Sequence, residues 1–141
     1  MKNVLITGAT GFIGQRLVKA TDLKIKILSR KKQHNFETIV CDFEKGSIPS
    51  NSLDGIDTVF HLAGFAHDLR DASKIKDLYR KVNVDATIKL ARLAVKSGVK
   101  RFVFVSSVKA GGGSASDRCV TEIDQGIPEG VYGETKREAE L

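Results

Sequence analysis

The chain has 141 residues, 41% hydrophobic and 28% charged, with a formal net charge of +6. That is one domain's length with enough apolar content to bury a core, and no apolar run approaches the length of a membrane span. Met1-Lys2-Asn3-Val4-Leu5-Ile6 runs straight into glycines and is not a signal peptide, so a cytoplasmic protein with no membrane partner is expected.

Val4-Leu5-Ile6 reads as a buried strand, followed at once by Gly8, Gly11 and Gly14. Phe12 to Ala20 reads as a helix with Phe12, Ile13, Leu17 and Val18 on its inner side. Ile25-Lys26-Ile27-Leu28 is a second strand, Thr38-Ile39-Val40-Cys41 a third, and Thr58-Val59-Phe60-His61-Leu62 a fourth. From roughly Ala72 to Ser97 the residues Ile75, Tyr79, Val82, Ala86, Leu90 and Leu93 recur at three- and four-residue steps, which predicts one long helix closed by Gly98. Phe102-Val103-Phe104-Val105 is a fifth strand, apolar throughout, as a central parallel strand would be. A loop opens at Gly111-Gly112-Gly113-Ser114, and helical character resumes from Val131 to Leu141. Alternating strands and helices predict an α/β fold. Its form is a doubly wound parallel sheet of Rossmann-like order 3-2-1-4-5, one domain over 1–141. The chain stops inside its last helix without a capping signal, which reads as a truncation.

The two cysteines, Cys41 and Cys119, lack metal-ligand spacing, and both read as reduced thiols, Cys41 as a small core residue. No metal site is expected. Basic residues such as Lys74, Lys76, Lys81, Lys89 and Lys96 are scattered along helix faces, with no basic block interleaved with aromatics, so no nucleic-acid partner is expected.

A strand, a glycine triplet and an amphipathic helix in succession form the setting of a dinucleotide site. Gly8 suits a tight turn, Gly11 a close approach of main chain to a pyrophosphate, and Gly14 close packing of helix on strand. The pyrophosphate would meet the free amides at the positive end of the helix. The spacing Thr7-Gly8-Ala9-Thr10-Gly11-Phe12-Ile13-Gly14 resembles the T-G-x-x-G-x-[IL]-G of the short-chain dehydrogenase/reductase superfamily, especially its extended branch. Cofactor contacts from Gly8, Thr10, Gly11, Phe12, Ile13 and Gly14 are what the resemblance implies here.

Where an NAD enzyme places an acid after the second strand, this chain has Ser29, then Arg30, Lys31 and Lys32. An arginine can hold a 2′-phosphate in a bidentate pair, which favours NADP over NAD, against the plainer reading of a solvated basic turn. The resemblance adds further cofactor residues: Asp42 and Phe43 at the adenine, Leu62-Ala63-Gly64 after His61 at the adenosine, and Asn83 as the helix asparagine that supports the active site.

Tyr132-Gly133-Glu134-Thr135-Lys136 supplies Y-x-x-x-K, one helical turn apart on one face. A phenol ordinarily ionises only near pH 10, and a neighbouring ammonium favours its charged form. Val105-Ser106-Ser107-Val108-Lys109 resembles the family's strand ending in its catalytic serine, with Ser107 at that position. The resemblance thus implies Tyr132 as general acid/base, Ser107 orienting the substrate oxygen, and Lys136 tuning the tyrosine; Tyr132 and Lys136 also face the cofactor. A polar cap at the strand end is the plainer reading of Ser107.

Within the family the likeness is to nucleoside-diphosphate-sugar epimerases and 4-ketohexose reductases, which implies epimerisation or reduction at C4 of such a sugar. Ser106, Lys109 and His67 are candidates to face the sugar. Ala110-Gly111-Gly112 replaces the V-Y-G of many relatives and argues against a close match to the UDP-galactose 4-epimerases. Family members continue past Y-x-x-x-K into a sugar-binding domain, so the chain by itself is expected to bind cofactor without turning over. A homodimer stays open. A non-catalytic NADP-binding sensor is the alternative, and the intact Ser107, Tyr132 and Lys136 speak against it.

Overall fold

The computed structural model describes residues 2–66, 75–112 and 117–141. Five strands, β1 (Asn3–Thr7), β2 (Lys24–Ser29), β3 (Glu37–Val40), β4 (Thr58–His61) and β5 (Arg101–Phe104), form one parallel sheet in the order β3-β2-β1-β4-β5. Val4 pairs with Ile25 on one side and Thr58 on the other, so β1 lies at the centre. The expected order 3-2-1-4-5 is the observed one.

Side chains alternate along β1, and the alternation divides the core. Leu5 joins Leu28, Val59, Val82, Ala86 and Leu90 on one face, while Val4 and Ile6 join Ile27, Leu17 and Val18 on the other. Helix α1 (Phe12–Lys19) covers the second face. The first is covered by α2 (Lys76–Arg80), a π turn (Lys81–Asp85) and α3 (Ala86–Lys96). A 3-10 turn (Val108–Gly111) and α4 (Gly130–Glu140) follow β5. Among the described residues no helix is long and apolar enough to cross a membrane.

Three expectations change. Phe12 and Ile13 do not face inward: they are 76% and 55% exposed. The buried stripe of α1 runs through Gly14, Leu17 and Val18, and at 100° per residue Phe12 falls roughly 200° from Gly14. The Arg16 guanidinium covers the Phe12 ring at 3.7 Å instead. The single long helix is interrupted by the π turn, and residues 72–74 of it lie outside the described set. Finally, β5 is an edge strand of the described sheet, with Phe102, Val103 and Phe104 only half-buried. Cys41 is buried as expected, and its thiol donates to the Ser47 carbonyl at 3.1 Å.

Candidate active site

The chain order reverses between β1 and β4, and the carboxyl ends of the strands there open a crevice, as in doubly wound sheets generally. A cleft of about 430 Å³ occupies this place. One wall is the glycine loop. Gly8 has φ +71°, and the Gly11 amide donates to its carbonyl at 3.0 Å, closing a tight turn onto the start of α1. A Cβ on Gly8 would lie 2.7 Å from the Ala63 nitrogen, and one on Gly14 would lie 2.1 Å from the Gly8 carbonyl oxygen. Side chains at either position would push the loop off the sheet. At Gly11, by contrast, an added Cβ would meet only the Gly8 oxygen, at 3.3 Å, so its main chain stays bare toward the cleft. Gly11 also caps α1, whose first amides lack intrahelical acceptors and favour an anionic group. This loop therefore fits a pyrophosphate.

Of the expected cofactor residues, Gly8, Thr10, Gly11, Ser29, Arg30, Asp42, Phe43, Leu62, Ala63 and Gly64 line the cleft. Phe12, Ile13 and Gly14 do not; Gly14 is spent on packing, and the other two turn outward. Arg30 sits exposed at the exit of β2. Asp42 stands half-buried beyond β3, its carboxylate accepting the Glu44 amide at 3.0 Å. Ala9, Leu28, Cys41, Glu44, Phe65, Ala66 and Val82 line the cleft as well. Sequence reasoning missed them, although most stand beside a residue it named.

Ser107, Tyr132 and Lys136 do not line this cleft; they gather beyond β5. Lys136 is 4% exposed, its Nζ donating to the Val105 carbonyl at 2.6 Å and lying 4.0 Å from the centre of the Phe104 ring. Burial pulls its pKa down to about 8, opposed by the Glu140 carboxylate. Tyr132 is half-buried one turn earlier on α4. The Ser107 hydroxyl accepts the Lys109 amide at 3.3 Å and caps the 3-10 turn, so the plainer reading of this serine is part of its structure. Ser106 donates to the Glu140 carboxylate, and the Lys109 side chain is exposed. His67 lies outside the described residues.

Asn83 joins the two groups. Its Oδ1 accepts the Phe65 amide at 2.6 Å, while its Nδ2 donates to the Phe65 carbonyl at 3.0 Å and to the Thr135 hydroxyl at 3.1 Å. Phe65 is on the cleft wall and Thr135 precedes Lys136, so one buried amide ties the β4 exit to α4. The Thr135 hydroxyl in turn donates to the Tyr132 carbonyl at 3.0 Å. The cleft suits an extended anionic ligand along the strand ends, and Asn83 connects its β4 wall to the helix that carries Tyr132 and Lys136.

Known proteins share this chain's sequence pattern and fold. The model of a family described as the NAD dependent epimerase/dehydratase family matches residues 4–141. A UDP-glucose 4-epimerase of Vibrio cholerae is 37% identical over 99% of this chain and 45% of its own length. An N-acetyl-α-D-glucosaminyl-diphospho-ditrans,octacis-undecaprenol 4-epimerase of Escherichia coli O157:H7 is 34% identical over 98% of this chain and 41% of its own. Among solved structures, MoeE5 in complex with UDP-glucose and NAD superposes with a TM-score of 0.83 at 34% identity, over 98% of this chain and 46% of that one. The chain thus spans about half the length of the relatives it matches.

Proposed function

The chain belongs to the NAD dependent epimerase/dehydratase family, and from that premise we propose that it carries the cofactor-binding part and the acid/base pair of an enzyme acting by reversible hydride transfer at C4 of a nucleoside-diphosphate sugar. The observation that carries the reading is the coupling of two features. A glycine-walled cleft lies at the switch point of the sheet, and a Tyr132/Lys136 pair is tied to it through Asn83.

The roles follow from the residues. Gly8, Thr10 and Gly11 receive the pyrophosphate, and Leu62, Ala63 and Gly64 form the facing wall. When bound, the nicotinamide supplies or accepts the hydride. Tyr132 gives its phenolic proton to the C4 oxygen in reduction and takes it back in oxidation. Lys136 brings a positive charge one turn away, and Ser107 orients the substrate oxygen. Ser106 and Lys109 are the residues proposed to face the sugar. Epimerisation and net reduction use the same proton and hydride chemistry at C4.

The cofactor preference proposed is NADP over NAD. Its support is Arg30 at the β2 exit, on the cleft wall, where an acid would repel a 2′-phosphate. Fluorescence titration of the 141-residue chain is expected to show NADPH binding more tightly than NADH. Arg30→Ala should narrow that gap by about tenfold, on the scale of one charge-assisted hydrogen bond. Tighter binding of NADH sinks the NADP preference, and binding of neither sinks the reading of the cleft. For the acid/base role, Tyr132→Phe should lower kcat at least about a hundredfold in a preparation that turns over a UDP-sugar, with cofactor affinity retained. Unchanged kcat removes Tyr132 from the chemistry.

A further inference from the structure

His61 is fully buried at the end of β4, and neither the glycine loop nor the Tyr132/Lys136 pair calls for a histidine there. Its ring is held by hydroxyls at both nitrogens: Nδ1 lies 2.7 Å from Thr7 Oγ1, and Nε2 lies 2.9 Å from Thr87 Oγ1. The direction of each bond can be worked out. Thr87 Oγ1 donates its proton to the Asn83 carbonyl at 2.7 Å, so toward the ring it accepts, and Nε2 carries the hydrogen. Thr7 Oγ1 accepts the Ala63 amide at 3.1 Å and gives its own proton to the bare Nδ1. The bonds run in one line, from the Ala63 amide through Thr7, His61 and Thr87 to the Asn83 carbonyl.

We propose that His61 is a positioning residue for the cofactor cleft, fixed in the Nε2–H tautomer so that Thr7 and Thr87 hold the Ala63 wall and the Asn83 turn in register.

An ordinary satisfied core histidine would need two partners and no more. Here both ends of the line are parts of the site: Ala63 lines the cleft, and Asn83 clamps Phe65 and Thr135. Thr7 is also the last residue before the glycine loop. The ring cannot tilt to other partners, since it lies stacked on Phe104 with centroids 5.8 Å apart and edge-on to Phe43 at 5.8 Å. Burial, reinforced by the Lys136 ammonium, pulls the pKa of His61 down to about 3, which keeps the ring neutral and the line of donors unbroken. An apolar side chain would fill the same space but would leave two hydroxyls without a common reference.

The proposal rests on the cleft being the cofactor site, so the test separates the two. In the 15N-labelled chain, imidazole spectra between about pH 5 and 8 should show His61 as a neutral Nε2–H tautomer with Nδ1 unprotonated. Thr87→Val, nearly isosteric, should shift the Asn83 side-chain amide signals, speed their exchange, and weaken NADPH binding about tenfold; Thr87→Ser should restore both. Thr7→Val should act in the same way from the Ala63 end. A Nδ1–H tautomer overturns the proposal. So does a Thr87→Val protein that loses melting temperature but keeps its Asn83 signals and its NADPH affinity, for that marks a core histidine. If the unmodified chain binds neither nicotinamide cofactor, the reading of the cleft fails, and the tautomer and Asn83 signals decide the relay by themselves.

Discussion

Lys136 lies under α4 with its ammonium against the Phe104 ring and the Val105 carbonyl, at 4% exposure. Its pKa is about 8 in the fold, against the ordinary value near 10.5. The unfolded chain therefore binds more protons than the folded one between those values, and stability contributed by this site rises as pH climbs from 8 toward 10.5. At neutral pH the buried charge is a cost. Lys136→Met should therefore be more stable than the native chain at pH 7, on the order of 1 kcal/mol, and the advantage should shrink to nothing near pH 10.5 in paired melting curves. An advantage that does not change with pH rejects the buried charge as its cause. The same variant should lose cofactor affinity. The one-turn spacing of Tyr132 and Lys136 is legible in the sequence because helical periodicity is local. The burial that tunes the lysine is not, because it comes from Phe104 at the end of β5 and from Val105 just beyond it, 31 residues before Lys136 in the chain.

At the scale of an element, the π turn Lys81–Asp85 decides where Asn83 points. The apolar steps 75, 79, 82, 86, 90 and 93 fit a continuous α-helix, so nothing in the spacing announces the interruption. In the structure Val82, Asn83 and Val84 are all buried, three successive residues that a regular surface helix would fan across some 200°. The wider turn lets Asn83 enter the core while Val82 and Val84 still pack. Asn83→Ala would orphan the Phe65 amide and carbonyl in a half-buried setting and should cost roughly 2–4 kcal/mol of unfolding free energy in denaturant melts. Arg80→Ala, which breaks the exposed ion pair with Glu138 between α2 and α4, should cost under about 1 kcal/mol. Equal costs for the two would mean that the helices are joined by surface charge and not by the buried amide. Gly133 adds to the same contact. A Cβ there would lie 2.5 Å from the Lys109 carbonyl oxygen, so α4 meets the 3-10 turn backbone to backbone. The Tyr-Gly pair can be read from the sequence, but its packing partner cannot.

For the whole molecule, the two-faced sheet explains both the successes and the failures of sequence reading. Strands flanked by helices, with glycines at the first turn, left little choice of architecture, and the order β3-β2-β1-β4-β5 followed from connection rules that hold for any such chain. Phe12 and Ile13 misled because an apolar residue at the first turn of a helix reads as core, whereas the tight fit of Gly14 on Gly8 sets the rotation of α1 and turns both outward. The apolar β5 misled in a similar way. Phe104 lies under the Lys136 ammonium, and Phe102 and Phe104 flank the His61 ring, while no further described strand pairs with the outer edge of β5. By itself the sequence determined the fold class, the strand order, the glycine loop and the Tyr132/Lys136 spacing, since these depend on local backbone preference, periodicity and turn chemistry. Only the tertiary structure decided which of the named residues line the cleft, how Asn83 joins it to α4, and that His61 connects Thr7 to Thr87. Those facts depend on groups that meet across 18 to 54 positions of chain, where no spacing rule carries information.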